Sequence, residues 1–87
     1  MVRYEVVYRP SIAKDLRKLP RDDIGRILAR AEALRDDPRP PGFKKLTGQQ
    51  RYRIRQGDYR ILYTIADAVL IVEVVKIGHR SDIYREG

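Results

Sequence analysis

The chain predicts an α+β domain: an N-terminal strand, an αα-hairpin, then an antiparallel β-meander packed on the helices. Three observations carry that expectation. Apolar residues recur at helical spacing between residues 12 and 34 and alternate at strand spacing on either side. The stretch 36-DDPRPPGF-43, with three prolines and a glycine, separates the two regimes. Gln56-Gly57-Asp58-Tyr59 sits between two alternating runs, as a two-residue hairpin turn does. With 87 residues the chain is expected to be one domain, 1–87. A domain of this size buries about 60–65% of the surface its unfolded chain exposes.

Each element follows from local pattern. In RYEVVYR, residues 3 to 9, Tyr4, Val6 and Tyr8 take one face of a strand. Arg3, Glu5, Val7 and Arg9 take the other, and Pro10 ends the run. Ser11 is the expected helix N-cap. Ile12, Leu16 and Leu19 then form one helical stripe, which Pro20 interrupts. Asp22 and Asp23 suit the first turn of a second helix, where carboxylates meet the positive end of the dipole. Its stripe is Ile24, Ile27, Leu28, Ala31 and Leu34, and it should run to about Arg35. After the proline-rich linker, order resumes at Lys44-Lys45-Leu46, and Gly48 marks a turn. Strands follow at about 51 to 56 and 59 to 65, then a turn near Ala66-Asp67. The run 68-AVLIVEVVKI-77 is nearly all apolar or β-branched and should be the central strand, broken by Gly78. Ser81 to Arg85 is expected to add a short edge strand.

Composition removes several kinds of chemistry. There is no cysteine, so disulfides, cysteine-ligated zinc and thiol nucleophiles are out. One histidine and no tight carboxylate cluster give no expectation of a metal site, and no cofactor is implied. The longest apolar run, 68-AVLIV-72, falls far short of the roughly 18 residues of a membrane span. The first residues lack the apolar core of a signal peptide, so a cytoplasmic location is expected. Net charge is +7. The excess is concentrated: residues 39 to 60 hold Arg39, Lys44, Lys45, Arg51, Arg53, Arg55 and Arg60 against Asp58 alone. Such a cluster points to a polyanion, either nucleic acid or an acidic protein segment.

The hairpin makes the cluster directional. A two-residue turn sets Gln56 opposite Tyr59, Arg55 opposite Arg60, Ile54 opposite Ile61, Arg53 opposite Leu62 and Tyr52 opposite Tyr63. Tyr52, Ile54, Ile61 and Tyr63 then face the helices, and Arg53, Arg55 and Arg60 face away. Like charges directly opposite one another destabilise a sheet. A solvated charged face is the plain account, with Glu73 on the next strand available to neutralise one arginine. A phosphate site is the sharper account, because arginine's planar fork grips phosphate with two parallel hydrogen bonds. The closing run KIGHRSDIYR, residues 76 to 85, adds the lone His79 together with Arg80, Tyr84 and Arg85. His79 and Tyr84 have plain accounts too, as strand-end and edge-packing residues.

Over nearly its whole length the chain resembles the RelE/ParE toxin superfamily, and its RelE branch in particular. The resemblance rests on the order of elements, Lys45-Leu46-Thr47-Gly48 before the hairpin, the run YRIRQGDYRILY and the closing GHRSDIYR. It implies a RelE-like fold and a prokaryotic toxin of a toxin–antitoxin pair, one that enters the ribosomal A site and cleaves the mRNA there without a metal. Arg53 and Arg55 match the branch's basic pair. Arg60 matches the hairpin arginine that holds the scissile phosphate. Arg80 matches the arginine after the central strand, and Tyr84 the tyrosine that stacks on or orients a base. The implied partners are a cognate antitoxin, the ribosome and mRNA, with the chain a monomer or part of a toxin–antitoxin hetero-oligomer. Two departures stand out. The basic pair is usually Lys-Lys, with one lysine assigned proton abstraction, and no C-terminal helix of the kind some members carry is expected.

The implied reaction is attack of the 2′-hydroxyl on the neighbouring phosphorus, with Arg55, Arg60 and Arg80 stabilising the charge that develops. Guanidinium stays protonated below about pH 12, so Arg53 and Arg55 are poor bases. His79 is then the expected acid or base, the alternative being that positioning and electrostatics suffice and His79 only contacts phosphate. Lys44, Lys45, Arg51 and Arg85 are expected to contact RNA backbone. Two rivals use the same fold: a ParE-like poison of DNA gyrase, and a non-catalytic module that docks on RNA or an acidic peptide.

Overall fold

The computed structural model describes residues 2–83. In chain order it contains β1 (Glu5–Tyr8), α1 (Ile12–Arg17), α2 (Arg21–Glu32), a 3-10 turn (Ala33–Arg35), β2 (Lys44–Lys45), β3 (Tyr52–Gln56), β4 (Tyr59–Ala66), a second 3-10 turn (Asp67–Val69) and β5 (Ile71–His79). The five strands form one sheet in the order β1-β5-β4-β3-β2. The α+β architecture is as expected from sequence: an αα-hairpin lies on one face, and β3, β4 and β5 form the antiparallel meander. The sheet is nonetheless mixed, because β1 pairs in parallel with β5. The helices carry the chain from one edge of the sheet to the other. The meander then works back, and its last strand arrives beside β1 running the same way.

The core lies between the helices and this inner face, hereafter the helix face. Val6, Ile12, Ile27, Ala31, Leu34, Ile54, Ile61, Tyr63, Val72, Val74 and Ile77 are buried together there. Pro20, at φ −59° and ψ 139°, leaves the helical region and separates α1 from α2. Asp22 and Asp23 occupy the first turn of α2, as their charge requires. The proline-rich linker is pinned rather than loose. The buried Tyr63 hydroxyl donates to the Pro38 carbonyl at 2.7 Å. Arg39 forms a two-pronged pair with Asp67 at 3.2 and 2.9 Å, and the Tyr4 hydroxyl donates to the same carboxylate at 2.6 Å. Arg39 and Tyr4 together hold the Asp67 carboxyl below the usual carboxylate range.

Five local expectations are corrected. Ser11 precedes α1, but its side chain makes no cap hydrogen bond, and its backbone is already helical at φ −64° and ψ −15°. The last strand starts at Ile71 rather than residue 68, because Asp67–Val69 form a 3-10 turn closed by Leu70 in the left-handed region. That strand also runs through Gly78 to His79. Gly78 does not break it, since its backbone pairs with Arg60 and needs no unusual torsion. β5 is flanked on both sides, but the middle position belongs to β4. Ser81 to Ile83 form turns rather than an edge strand, while Tyr84 and Arg85 lie outside the described residues.

Two outcomes follow from these contacts. Gly25 sits inside α2, and a Cβ built there meets nothing within 4 Å. Gly25→Ala should therefore stabilise the protein by about 0.5–1 kcal/mol, read as a higher urea midpoint at unchanged slope. Asp67 has a depressed folded-state pKa, so its contribution is present above the ordinary carboxylate value and disappears as pH falls through the folded value. Unfolding midpoints taken from about pH 5 down to about pH 2 should fall more steeply for the native chain than for Asp67→Asn. Parallel curves for the two proteins would contradict this.

Candidate functional site

The hairpin register is the one the two-residue turn dictates. Gln56 pairs with Tyr59, Arg55 with Arg60, Ile54 with Ile61, Arg53 with Leu62 and Tyr52 with Tyr63. Gly57 takes φ +59°, a left-handed torsion that glycine adopts without cost. Alternation then sends Tyr52, Ile54, Ile61 and Tyr63 to the helix face. Arg53, Arg55, Arg60 and Leu62 go to the opposite, open face.

Register across all the strands arranges the open face in rows. One row runs Lys44, Arg53, Leu62, Lys76 from β2 to β5. The next runs Arg55, Arg60, Gly78. Neither row contains a carboxylate. Arg53 and Arg60 are only 5% and 8% exposed, while Arg55 is exposed. At that exposure the guanidinium heads are covered as well as the stems, so both side chains are held in place by the surrounding protein. The Arg60 guanidinium donates to the carbonyls of Gly57 at 3.2 Å and Tyr59 at 3.0 Å. This draws it over the turn and relieves the repulsion expected from Arg55. Glu73 takes no part: it pairs with Arg9 at 3.4 Å, well along β5 from Gly78.

Other expected site residues divide. Arg80 joins the hairpin, because its backbone N–H donates to the Asp58 carbonyl at 2.8 Å and ties the end of β5 to the turn. His79 stands apart from the arginine rows. It pairs with Tyr59, whose ring meets the imidazole edge-on at 5.8 Å, so register assigns it to the side of Ile61 and Ile77. Its Nδ1 accepts the Ser81 backbone N–H at 3.1 Å and lies 2.8 Å from the Ser81 hydroxyl. A backbone N–H only donates, so Nδ1 is the acceptor and the neutral ring carries its proton on Nε2. The neighbouring lysines also part company. Lys44 shares the open face with Arg53, whereas Lys45 pairs with Tyr52 on the helix side. Tyr84 and Arg85 fall outside the described residues.

The open face is not bare. Leu62, Val75 and Ile83 form a second buried cluster, with Leu46 packed against it. A shift in pairing between Leu62 and Tyr63 leaves Val75 as the extra residue that joins this cluster. A groove lies between α1 and this patch, with Leu46, Leu62, Val75 and Ile83 beneath it and Lys14, Lys18, Arg51 and Lys76 along its sides. It continues round β5 to Tyr59 and His79. Two residues here escaped the sequence reading. Lys76 lies in an apolar run that reads as core, and only its pairing with Leu62 reveals its face. Ile83 looks like part of a polar tail but is 2% exposed and anchors that tail.

Comparison with known proteins bears on this geometry. The family described as ParE toxin of the type II toxin–antitoxin system parDE matches residues 6–84. The chain is similar to Toxin RelG of Mycobacterium tuberculosis, 33% identical over 86 residues covering 94% of this chain and 97% of the relative. Its fold is similar to the toxin–antitoxin complex RelBE2 from Mycobacterium tuberculosis, with TM-score 0.80 and 29% identity over 91% of this chain and 100% of the other. It is also similar to the archaeal RelE–RelB complex from Pyrococcus horikoshii OT3, with TM-score 0.79 and 28% identity over 94% and 99% of the two chains.

The tail anchor is directly testable. A Cβ added at Gly78 would lie 3.3 Å from Cδ1 of Ile83. Gly78→Ala should therefore shift the Ile83 methyl resonance and cost about 1 kcal/mol through overpacking. Gly25→Ala should leave that resonance in place. An unmoved Ile83 methyl in Gly78→Ala would show that the tail does not pack over β5.

Proposed function

The chain belongs to the RelE/ParE superfamily of type II toxin–antitoxin toxins, and on that premise we propose that it is a ribosome-dependent endoribonuclease that cleaves mRNA in the A site. The observation that carries the reading is the carboxylate-free pair of rows on the open face, with Arg53 and Arg60 seated at 5% and 8% exposure. Donors fixed before the substrate arrives stabilise developing charge without reorganising at the moment of reaction. A binder of folded RNA would gain little from burying its cations.

In this reading the 2′-hydroxyl beside the scissile bond attacks phosphorus, and the 5′-oxygen leaves. Arg60 and Arg55 receive the phosphoryl oxygens. Arg80, held at the turn through Asp58, approaches from the strand end. Tyr84 stacks on an exposed base, as aromatic side chains do with single-stranded RNA. His79 keeps Nε2–H as a donor for a phosphate oxygen. Lys44, Lys45, Arg51 and Arg85 contact ribosomal RNA backbone, where neutralising one should flatten the salt dependence of binding. The ribosome positions the message, which relieves the small protein of building a deep pocket. A cognate antitoxin completes the pair, as in the RelBE2 and RelE–RelB complexes that this fold resembles. No helix among the described residues is long and apolar enough to cross a membrane, in keeping with action in the cytoplasm.

A second reading, a gyrase poison, is favoured by the matching family's ParE description. Purified translating ribosomes separate the two. Mapping of mRNA ends after addition of the protein should show cuts inside the A-site codon and none in free message. Intact message together with trapped gyrase–DNA complexes would sink the nuclease reading. Arg55 is exposed, so Arg55→Ala should leave unfolding within about 0.5 kcal/mol of native. The same variant should lose about 10²–10³ in single-turnover cleavage.

A further inference from the structure

Cleavage by 2′-oxygen attack needs a group that removes the hydroxyl proton, and the arginine rows do not supply one. Guanidinium holds its proton to beyond about pH 12. His79 has its acceptor nitrogen engaged by the Ser81 N–H at 3.1 Å, and register assigns it to the Tyr59 side of the sheet. Among the described residues, the strands of the open face carry two amines, Lys44 and Lys76. Lys44 is exposed on the short edge strand β2 and lies outside Arg53.

Lys76 is placed differently. It is half-buried on an inner strand and pairs with Leu62, at the inner end of the row that holds Arg53. Arg60 pairs with Gly78, two residues farther along β5, so Lys76 and Arg60 are diagonal neighbours on one face. Diagonal neighbours lie about 7–8 Å apart, within reach of long side chains. Gly78 carries no side chain between them, and the Ile83 side chain packs over that position, where a Cβ would lie 3.3 Å from Ile83 Cδ1. From β3 and β4, Lys76 faces Arg53 and Arg60. Across the groove stand Lys14 and Asp15 of α1, Lys18 at its C-terminal cap, and Arg51 of the loop between β2 and β3. Asp82 of the tail and His79 close the far end. Asp15 already accepts the Ile77 backbone N–H at 3.1 Å.

We propose that Lys76 is the residue that accepts the proton of the attacking 2′-hydroxyl. The proposal rests on the nuclease reading above and assigns its missing step. The neutral amine of Lys76 takes the 2′-hydroxyl proton as the 2′-oxygen bonds to phosphorus. The bond from phosphorus to the 5′-oxygen breaks, and its electron pair leaves with that oxygen, which takes a proton from water. The products are a 2′,3′-cyclic phosphate and a 5′-hydroxyl, and Lys76 returns its proton to the hydroxide so formed. A lysine amine can make this exchange, whereas the guanidinium groups around it can only hold charge.

The test is single-turnover cleavage of ribosome-bound mRNA across pH by the native protein, Lys76→Arg and Lys76→Met. Native cleavage should rise about tenfold per pH unit and then level off. Lys76→Arg keeps the charge, so ribosome affinity should hold while the rate falls by about 10²–10⁴ and the rising limb flattens. Added methylamine should restore part of the rate in Lys76→Met and none in the native protein. Cleavage by Lys76→Arg within about threefold of native, or a native profile with no rising limb, would overturn the assignment and leave the nuclease reading standing. A native protein that leaves ribosome-bound message intact would overturn both. If Lys76→Arg fails to fold, by its urea midpoint, the native pH profile and methylamine rescue of Lys76→Met still decide.

Discussion

Everything on the sheet depends on the two-residue turn at Gly57-Asp58. With Gly57 in the left-handed region, Gln56 meets Tyr59, and no other register joins β3 to β4. A slip of β3 by one residue would turn Tyr52 and Ile54 into water and drive Arg53 and Arg55 into the core. The same turn serves the site twice more. Its Gly57 carbonyl accepts from Arg60, and its Asp58 carbonyl accepts from the Arg80 backbone. One short loop thus sets the parity of two strands, steers one guanidinium and docks the segment that carries another.

The open face balances two demands. A surface for polyanions needs clustered cations, and a folded sheet resists them. The structure reconciles the two by giving the cations different surroundings. Arg60 rests on backbone dipoles, Arg53 is buried beside Leu62, and Arg55 projects into water. Among the described residues, no fully buried side-chain nitrogen or oxygen lacks a partner, so this crowding leaves no unmet polar group beneath it. The apolar cluster of Leu62, Val75 and Ile83 supplies the rigid footing.

Most of the fold was legible from local pattern, because helices and hairpins are written in nearby residues. The stripe through Ile27, Ala31 and Leu34 and the pairing of Arg55 with Arg60 needed only periodicity and one turn. What local pattern leaves out is pairing between distant segments. The parallel match of β1 with β5 has no signature in either strand. Lys76 is disclosed only by its opposite number, and Gly78 reads as a breaker until its neighbour is known. His79 was assigned by chemistry alone, and only the register and Ser81 reveal which way its nitrogens serve.

The pairing of Glu5–Tyr8 with Ile71–Val74 joins two segments far apart in sequence. Contacts so far apart in sequence form late, since loop-closure entropy is spent before they return anything. During synthesis β1 has no partner until residues 71–74 have emerged. The sheet therefore cannot close, nor β5 gain its second neighbour, before that segment has been made. The topology acts as a timer, and the folded domain exists only after β5 has been made.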